Sequence, residues 1–300
     1  MAEQQNVYRS HSRWSDPGKH TPWLREVPPT TGAVVRHLPG LVMHCGEARL
    51  LGLAVPERAL QDVEVRRAER LLDLVLSRDG RPATDPRDPA ARFFGVCAHF
   101  ALLATAVLRT HGVPARVRVG FARYFVPEAW EDHWVTEYWD GAGWRLLDAQ
   151  LHESMRSVLG IAFPPWDVPR EQFHDASTAW QRLRAGDLDP GRVGVSSVGL
   201  TGAWFAAQSV LRDVAALNKE EMLPWDTWGP GREVGVHAPE VPLHLAETLD
   251  AVSRLVAGSP NADLAARVYR DLPRLRRTPA IFSLAFPRGW PDGVPTELTL

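Results

Sequence analysis

Cys97 stands in Gly95-Val96-Cys97-Ala98-His99-Phe100-Ala101, where a loop gives way to a helical apolar pattern. Glu131-Asp132-His133-Trp134 and Gly143-Trp144-Arg145-Leu146-Leu147-Asp148 follow, each inside a strand-like run. A thiol at a helix start, then a histidine, then a carboxylate, are the parts of a nucleophilic triad. A free thiol, with a pKa of about 8.5, is barely ionised at neutral pH. The partial positive charge of a helix N-terminus and a nearby imidazolium both lower that value. The first-turn N–H groups also suit the oxyanion of a tetrahedral intermediate. His133 would act as base towards the thiol and then as acid towards the leaving amine.

Two carboxylates compete to orient His133. Glu137 shares a strand face with His133, Val135 and Trp139 by alternation, but a same-strand i+4 side chain lies roughly 13 Å away. Asp148, across a hairpin, can meet the imidazole edge-on and is the better candidate. Taken singly, each residue has a plainer reading: a lone cysteine is most often a small core hydrophobe, and a lone histidine a structural one. The order Cys, helix, strand, His strand, hairpin, Asp is what favours catalysis. Cys45, after His44 in an apolar run, shows neither a helix start nor a partner pattern and reads as structural. His99 points about 200° around the helix from Cys97, so it is a rim residue at most. Trp134, Trp139 and Trp144 flank the candidate site and could shape a substrate cleft. There is no CxxC pair and no HExxH, so neither a metal nor any other cofactor is expected.

The elements that must position these groups are legible in part. Leu60, Val63, Arg67, Leu71, Leu74 and Val75 recur at near-helical spacing, predicting one helix over Pro56–Arg78 closed by Asp79-Gly80. A second helix runs from Cys97 to about His111, stopped by Gly112 and Pro114. Strands follow over Ala115–Tyr124, His133–Trp139 and Trp144–Asp148, the last two joined by the turn Asp140-Gly141-Ala142-Gly143. Beyond Gln150 the pattern is helical, with helices over Ser177–Ala185, Gly202–Asn218, Leu243–Val256 and Ala262–Tyr269. Proline-rich loops separate them. The expected organisation is an extended N-terminal arm (1–30), partly pinned by Trp14 and Trp23, a catalytic core (31–155) and a mainly helical region (156–300) packed on it. The fold class is α+β.

Bulk composition narrows the partners. The chain has 300 residues, 45% of them hydrophobic, and a formal net charge of −2, which argues against a nucleic-acid or anionic-membrane binder. Lys19 and Lys219 are the only lysines, a bias that fits a GC-rich bacterial coding sequence. The N-terminus lacks a secretory pattern, no apolar run approaches the roughly 18 residues of a membrane span, and the two cysteines are expected as thiols. The expectation is a cytoplasmic protein, able to form a homo-oligomer.

The segment Gly95–Leu103 with Leu108-Arg109-Thr110-His111-Gly112-Val113-Pro114-Ala115-Arg116 resembles the transglutaminase-like superfamily, in which a Gly-Cys helix start leads to a Gly-[Ile/Val]-Pro-Ala-Arg strand entry. Asp132-His133-Trp134-Val135 and Gly143–Asp148 resemble its histidine and aspartate motifs, and the likeness spans roughly residues 60 to 150. It implies a papain-like core and the triad Cys97, His133, Asp148. Gly120–Phe125, Asp148–Leu151, Asp213–Glu220 and Leu223–Gly229 resemble one bacterial branch of the superfamily. In that branch polar residues follow the cysteine, whereas this chain has Ala98-His99. Superfamily members cross-link proteins, hydrolyse amides, deglycosylate peptides or transfer acyl groups through a thioester intermediate.

The expectation is therefore a cysteine enzyme acting at an amide carbonyl of a peptide, protein or small molecule, with hydrolysis slightly ahead of transamidation. Two rivals stay open. One is an acyltransferase working on a small-molecule or carrier-bound acyl group; the other is a non-catalytic binding module that keeps the fold. Asn218–Glu221 with Trp225–Trp228 either approaches the cleft or forms a helix end and a loop anchored by tryptophans.

Overall fold

A computed structural model describes residues 5–283 and 296–300. The chain is α+β and divides into two units: residues 1–117 with 135–168, and residues 118–134 with 169–300. The division follows neither the 30/31 nor the 155/156 boundary suggested by composition.

In the first unit, strand β1 (Val42–His44) pairs in parallel with β2 (Phe93–Gly95). Each strand leads into a helix that opens on a cysteine, β1 directly and β2 through the single residue Val96. Helix α1 (Thr31–His37) precedes β1; its N-cap Thr30 accepts the Ala33 N–H. Helix α2 (Cys45–Leu50) follows β1 and is capped by His44, whose Nδ1 accepts the Gly46 N–H at 3.0 Å. Helix α3 (Ala68–Arg78) is only the second half of the helix expected over Pro56–Arg78. A single turn (Ala59–Asp62) precedes it, and the chain opens between them. The break has a physical cause: Ala68 gives its N–H to the Trp14 carbonyl, and the Val65 carbonyl is taken by His99.

Helix α4 (Cys97–Thr110) matches its expected span, is buried along nearly its whole length and is stopped at Gly112, whose φ is +73°. Strands β3 (Ala115–Ala122), β4 (Trp130–Trp139) and β5 (Trp144–Leu147) follow. Asp140 Oδ1 closes the β4–β5 turn by accepting the N–H groups of Ala142 and Gly143 at 2.8 and 2.7 Å. Helix α5 (Glu153–Leu159), which the sequence did not suggest, ends on Gly160 in the left-handed region. The N-terminal segment is no extended arm. Tyr8, Trp14, Leu24 and Val27 are buried, and Ala115 donates to the Tyr8 carbonyl. Arg109 of α4 reaches Ser15 Oγ at 2.8 Å.

The second unit contains β6 (Phe173–Asp175), helix α6 (Ala176–Ala185), the short strands β7 (Val193–Val195) and β8 (Leu200–Thr201), and helix α7 (Ala203–Leu217). Strand β9 (Asp226–Thr227), helix α8 (Leu243–Val256), helix α9 (Ala262–Asp271) and strands β10 (Ala280–Ser283) and β11 (Thr296–Thr299) complete it. Its core gathers Phe121, Trp180, Phe205, Val210, Leu249 and Val268. At its centre Arg118 pairs with both carboxylate oxygens of Asp213 at 3.0 Å, and Asp213 also accepts the Val119 N–H.

The main sheet has the strand order β6-β3-β4-β7-β8, with β5 pairing β4 off that path. β3 and β4 each contribute residues to both units. Gly120 is required where β3 meets β6: a Cβ there would stand 2.2 Å from the His174 carbonyl oxygen. No helix among the described residues is long and apolar enough to cross a membrane.

Candidate active site

Cys97 is the first residue of α4 and is buried, 6% exposed. The N-cap residue Val96 has no polar side-chain atom to offer the first-turn N–H groups, so the partial positive charge of the helix end is not met by a capping side chain. His99 steadies this start. Its Nδ1 accepts the Val96 N–H at 3.1 Å, which leaves Nε2–H to donate to the Val65 carbonyl at 2.9 Å. Both ring nitrogens thus serve the scaffold. Burial pushes the imidazole down to about 4, against the opposing pull of those hydrogen bonds. His99 is 1% exposed, so the expectation of a rim residue is corrected: it is a neutral fastener beneath the helix.

Thr136 of β4 holds α4 within the first unit. Its Oγ1 donates to the Ala101 carbonyl at 2.9 Å and lies 3.3 Å from Thr105 Oγ1. Across β4–β5, Thr136 is in register with Leu147, the residue before Asp148. Asp148 is buried. Its main-chain N–H donates to the Pro165 carbonyl at 2.7 Å, which anchors the backbone, and its Oδ1 accepts the Gln150 N–H at 3.0 Å, which restrains the carboxylate.

Glu137, the rival orienting group, is taken. It is fully buried and binds Arg116 through Nε at 2.7 Å and Nη2 at 2.6 Å. The Arg116 guanidinium also stacks 4.1 Å from the Trp144 ring and 5.0 Å from Tyr8. Trp144 therefore packs against an internal ion pair.

His133 lies in the second unit, buried on β4. Phe125 and Tyr124, from the loop after β3, approach its ring edge-on, with centroids 4.7 and 5.9 Å away. These aromatics restrict the imidazole; they close the stretch Gly120–Phe125, which the sequence marked only by its resemblance and to which it gave no role beside His133. Trp134 is buried beside His133 in the same unit. Cys97 and Asp148 belong to the first unit.

Cys45 differs from the sequence expectation in one respect: it does open a helix, α2. Burial pushes its thiol up to about 11, so it stays protonated, as a structural cysteine would. The segment after α7 is tied down. Asn218 Nδ2 donates to the carbonyls of Val214 and Ala265, Glu220 pairs with Arg277 at 2.8 Å, and Trp228 Nε1 donates to the Leu275 carbonyl. That is the anchored loop, the plainer of its two readings. Among the described residues no group of three or more His, Cys, Asp or Glu side chains is placed to hold a metal ion.

Comparison with known proteins adds to this geometry. Among curated proteins none matches the chain. One solved structure, a candidate cysteine protease from Cytophaga hutchinsonii, is 17% identical, with a TM-score of 0.31 over 48% of this chain and 41% of that one. The family model of the transglutaminase-like superfamily core matches residues 60–149. That segment holds the Cys97 helix start, the His133 strand and the Asp148 hairpin, and this chain carries a transglutaminase-like domain, the domain of a superfamily of cysteine-dependent enzymes.

Proposed function

We propose that the protein is a cysteine enzyme that opens an amide carbonyl and passes through a thioester. Cys97 Sγ attacks the carbonyl carbon and His133 takes the thiol proton. When the tetrahedral intermediate collapses, the C–N bond breaks and His133 returns the proton to the departing amine. Asp148 holds the tautomer of His133 that can do this. Water then attacks the thioester, giving a carboxylic acid and restoring the thiol. Hydrolysis is favoured over transamidation because water is always present, whereas an amine acceptor has to be bound.

The observation that carries this reading is the setting of Cys97: a thiol at the first position of a buried helix whose N-cap residue has no polar side chain. The backbone restraint on Asp148 and the aromatic restraint on His133 support it, since both groups must be held still to act. The test is to incubate wild type and Cys97→Ala with a panel of amides and to look for a covalent acyl adduct by mass spectrometry. The adduct is expected on wild type alone. An adduct forming equally on Cys97→Ala sinks the assignment. With excess amine present, release of acid supports hydrolysis and a new amide supports transfer.

A further inference from the structure

The loop that carries Asp148 is tied to a helix outside the proposed triad. Gln150 gives its main-chain N–H to Asp148 Oδ1 at 3.0 Å, and the Gln150 carbonyl accepts the His152 N–H at 2.9 Å. The His152 side chain then leaves the loop, its Nε2 lying 2.6 Å from Glu47 Oε1. Glu47 belongs to α2, the helix that opens on Cys45. Three contacts thus run from α2 to the Asp148 carboxylate, and every residue in them lies in the first unit.

Both side chains of the outer contact forgo a local role. Glu47 is the third residue of α2, where a glutamate commonly reaches back to the N-cap N–H or stays in water. It does neither. Its side chain is 4% exposed, and among the described residues its carboxylate makes a hydrogen bond or ion pair with His152 alone. Arg92 is near enough for its charge and that of Glu47 to act on each other, but its Nε goes to the Arg87 carbonyl at 2.9 Å. His152 is the N-cap residue of α5, yet its ring gives that helix no hydrogen bond. A pair so far out of water contributes little net stability over apolar side chains of the same volume. What it fixes is a direction. Leu151 is fully buried and anchors the loop by packing, but the angle of a carboxylate is set by directional hydrogen bonds.

We propose that Glu47 and His152 are positioning residues for Asp148: by holding His152, Glu47 keeps the Gln150 N–H against Oδ1 and sets the angle at which the carboxylate is presented. This rests on the reading of Asp148 as the group that orients His133. On that reading a displacement of Asp148 by about 1 Å weakens the thiolate–imidazolium pair, and the loss falls on reactivity and not on substrate binding.

The test reads Cys97 directly and needs no substrate. Its rate of alkylation by iodoacetamide, followed by peptide mapping across the pH range, traces thiolate formation. Asp148→Ala should move the midpoint up by about one pH unit, because the imidazolium that stabilises the thiolate loses its carboxylate. Glu47→Ala should move it the same way by about half a unit, or about threefold slower alkylation at neutral pH. Glu47→Gln keeps an acceptor oxygen for His152 and should retain the wild-type profile. In an Asp148→Ala background, Glu47→Ala should change nothing further, whereas a merely structural role would slow both backgrounds alike. Should Glu47→Ala unfold, His152→Ala, altered at a half-buried position, removes the same contact and carries the same expectation. A profile that Asp148→Ala moves, and that neither Glu47→Ala nor His152→Ala moves, overturns the proposal and leaves the reading of Asp148 standing. Equal shifts from Glu47→Ala with and without Asp148 overturn it too. A profile that Asp148→Ala leaves in place refutes the reading of Asp148 itself, and the proposal with it.

Discussion

Acid should act on this protein in part through His99. The imidazole is buried and neutral, its pKa pushed down to about 4 from an ordinary value of about 6.5. The unfolded chain therefore binds a proton between pH 6.5 and 4 that the folded chain refuses. In that window the unfolded state holds more protons, so stability rises with pH and falls on acidification. The contribution is intact above pH 6.5. It is lost steadily as the pH drops, until the folded-state ring itself titrates near 4. A shift of about 2.5 units at about 1.4 kcal/mol per unit gives a loss of about 3 kcal/mol. His174 is also pushed down to about 4, by burial and by Arg182, so wild type alone would mix the two. The comparison with His99→Gln separates them. Urea unfolding of both proteins at intervals from pH 7.5 to 4 should show wild type losing about 3 kcal/mol more than the variant. A stability difference independent of pH would refute the reasoning. Because His99 fastens the Val96 N–H to the Val65 carbonyl, the start of α4 should loosen over the same range.

Other outcomes follow from particular contacts. Arg116→Ala should cost about 3–5 kcal/mol in chemical denaturation, because the buried Glu137 carboxylate loses the guanidinium that binds it; Arg116→Met with Glu137→Leu should recover most of it. Iodoacetamide at pH 8 should alkylate Cys97 well before Cys45, whose thiol is held near 11; peptide mapping that finds Cys45 modified first would contradict the burial argument. Gly120→Ala should cost about 2 kcal/mol or more, since the added Cβ meets the His174 carbonyl oxygen, and amide exchange should rise along the β3–β6 pairing.

What the sequence made legible was local. The span of α4 follows from an apolar run with Gly112 and Pro114 at its end, and the β4–β5 turn follows from Asp140 and Gly141, all signals carried by neighbouring residues. The opening between the Ala59–Asp62 turn and α3 was not legible, because Val63 and Arg67 keep helical spacing while the contacts that break the helix come from Trp14 and His99, far along the chain. Helices α1 and α2 are too short for a period to show and rest on single caps at Thr30 and His44. Cys97, His133 and Asp148 could be read from their order and motifs. The pairing of Arg118 with Asp213 could not: nothing in the pattern of β3 or α7 marks the two as partners, and only the folded chain brings them within 3.0 Å.

The discontinuous second unit has a consequence for how the protein is made. Residues 118–134, with His133 among them, leave the ribosome before the first unit is complete and well before residues 169–300 exist. Their packing partners, Asp213 for Arg118 and Phe205 for Phe121, arrive some eighty or more positions later. A growing chain halted near residue 168 would hold all of the first unit's sequence and a hairpin with no core to join. Truncation at the apparent end of the catalytic motifs should therefore yield an aggregating fragment and not a minimal enzyme.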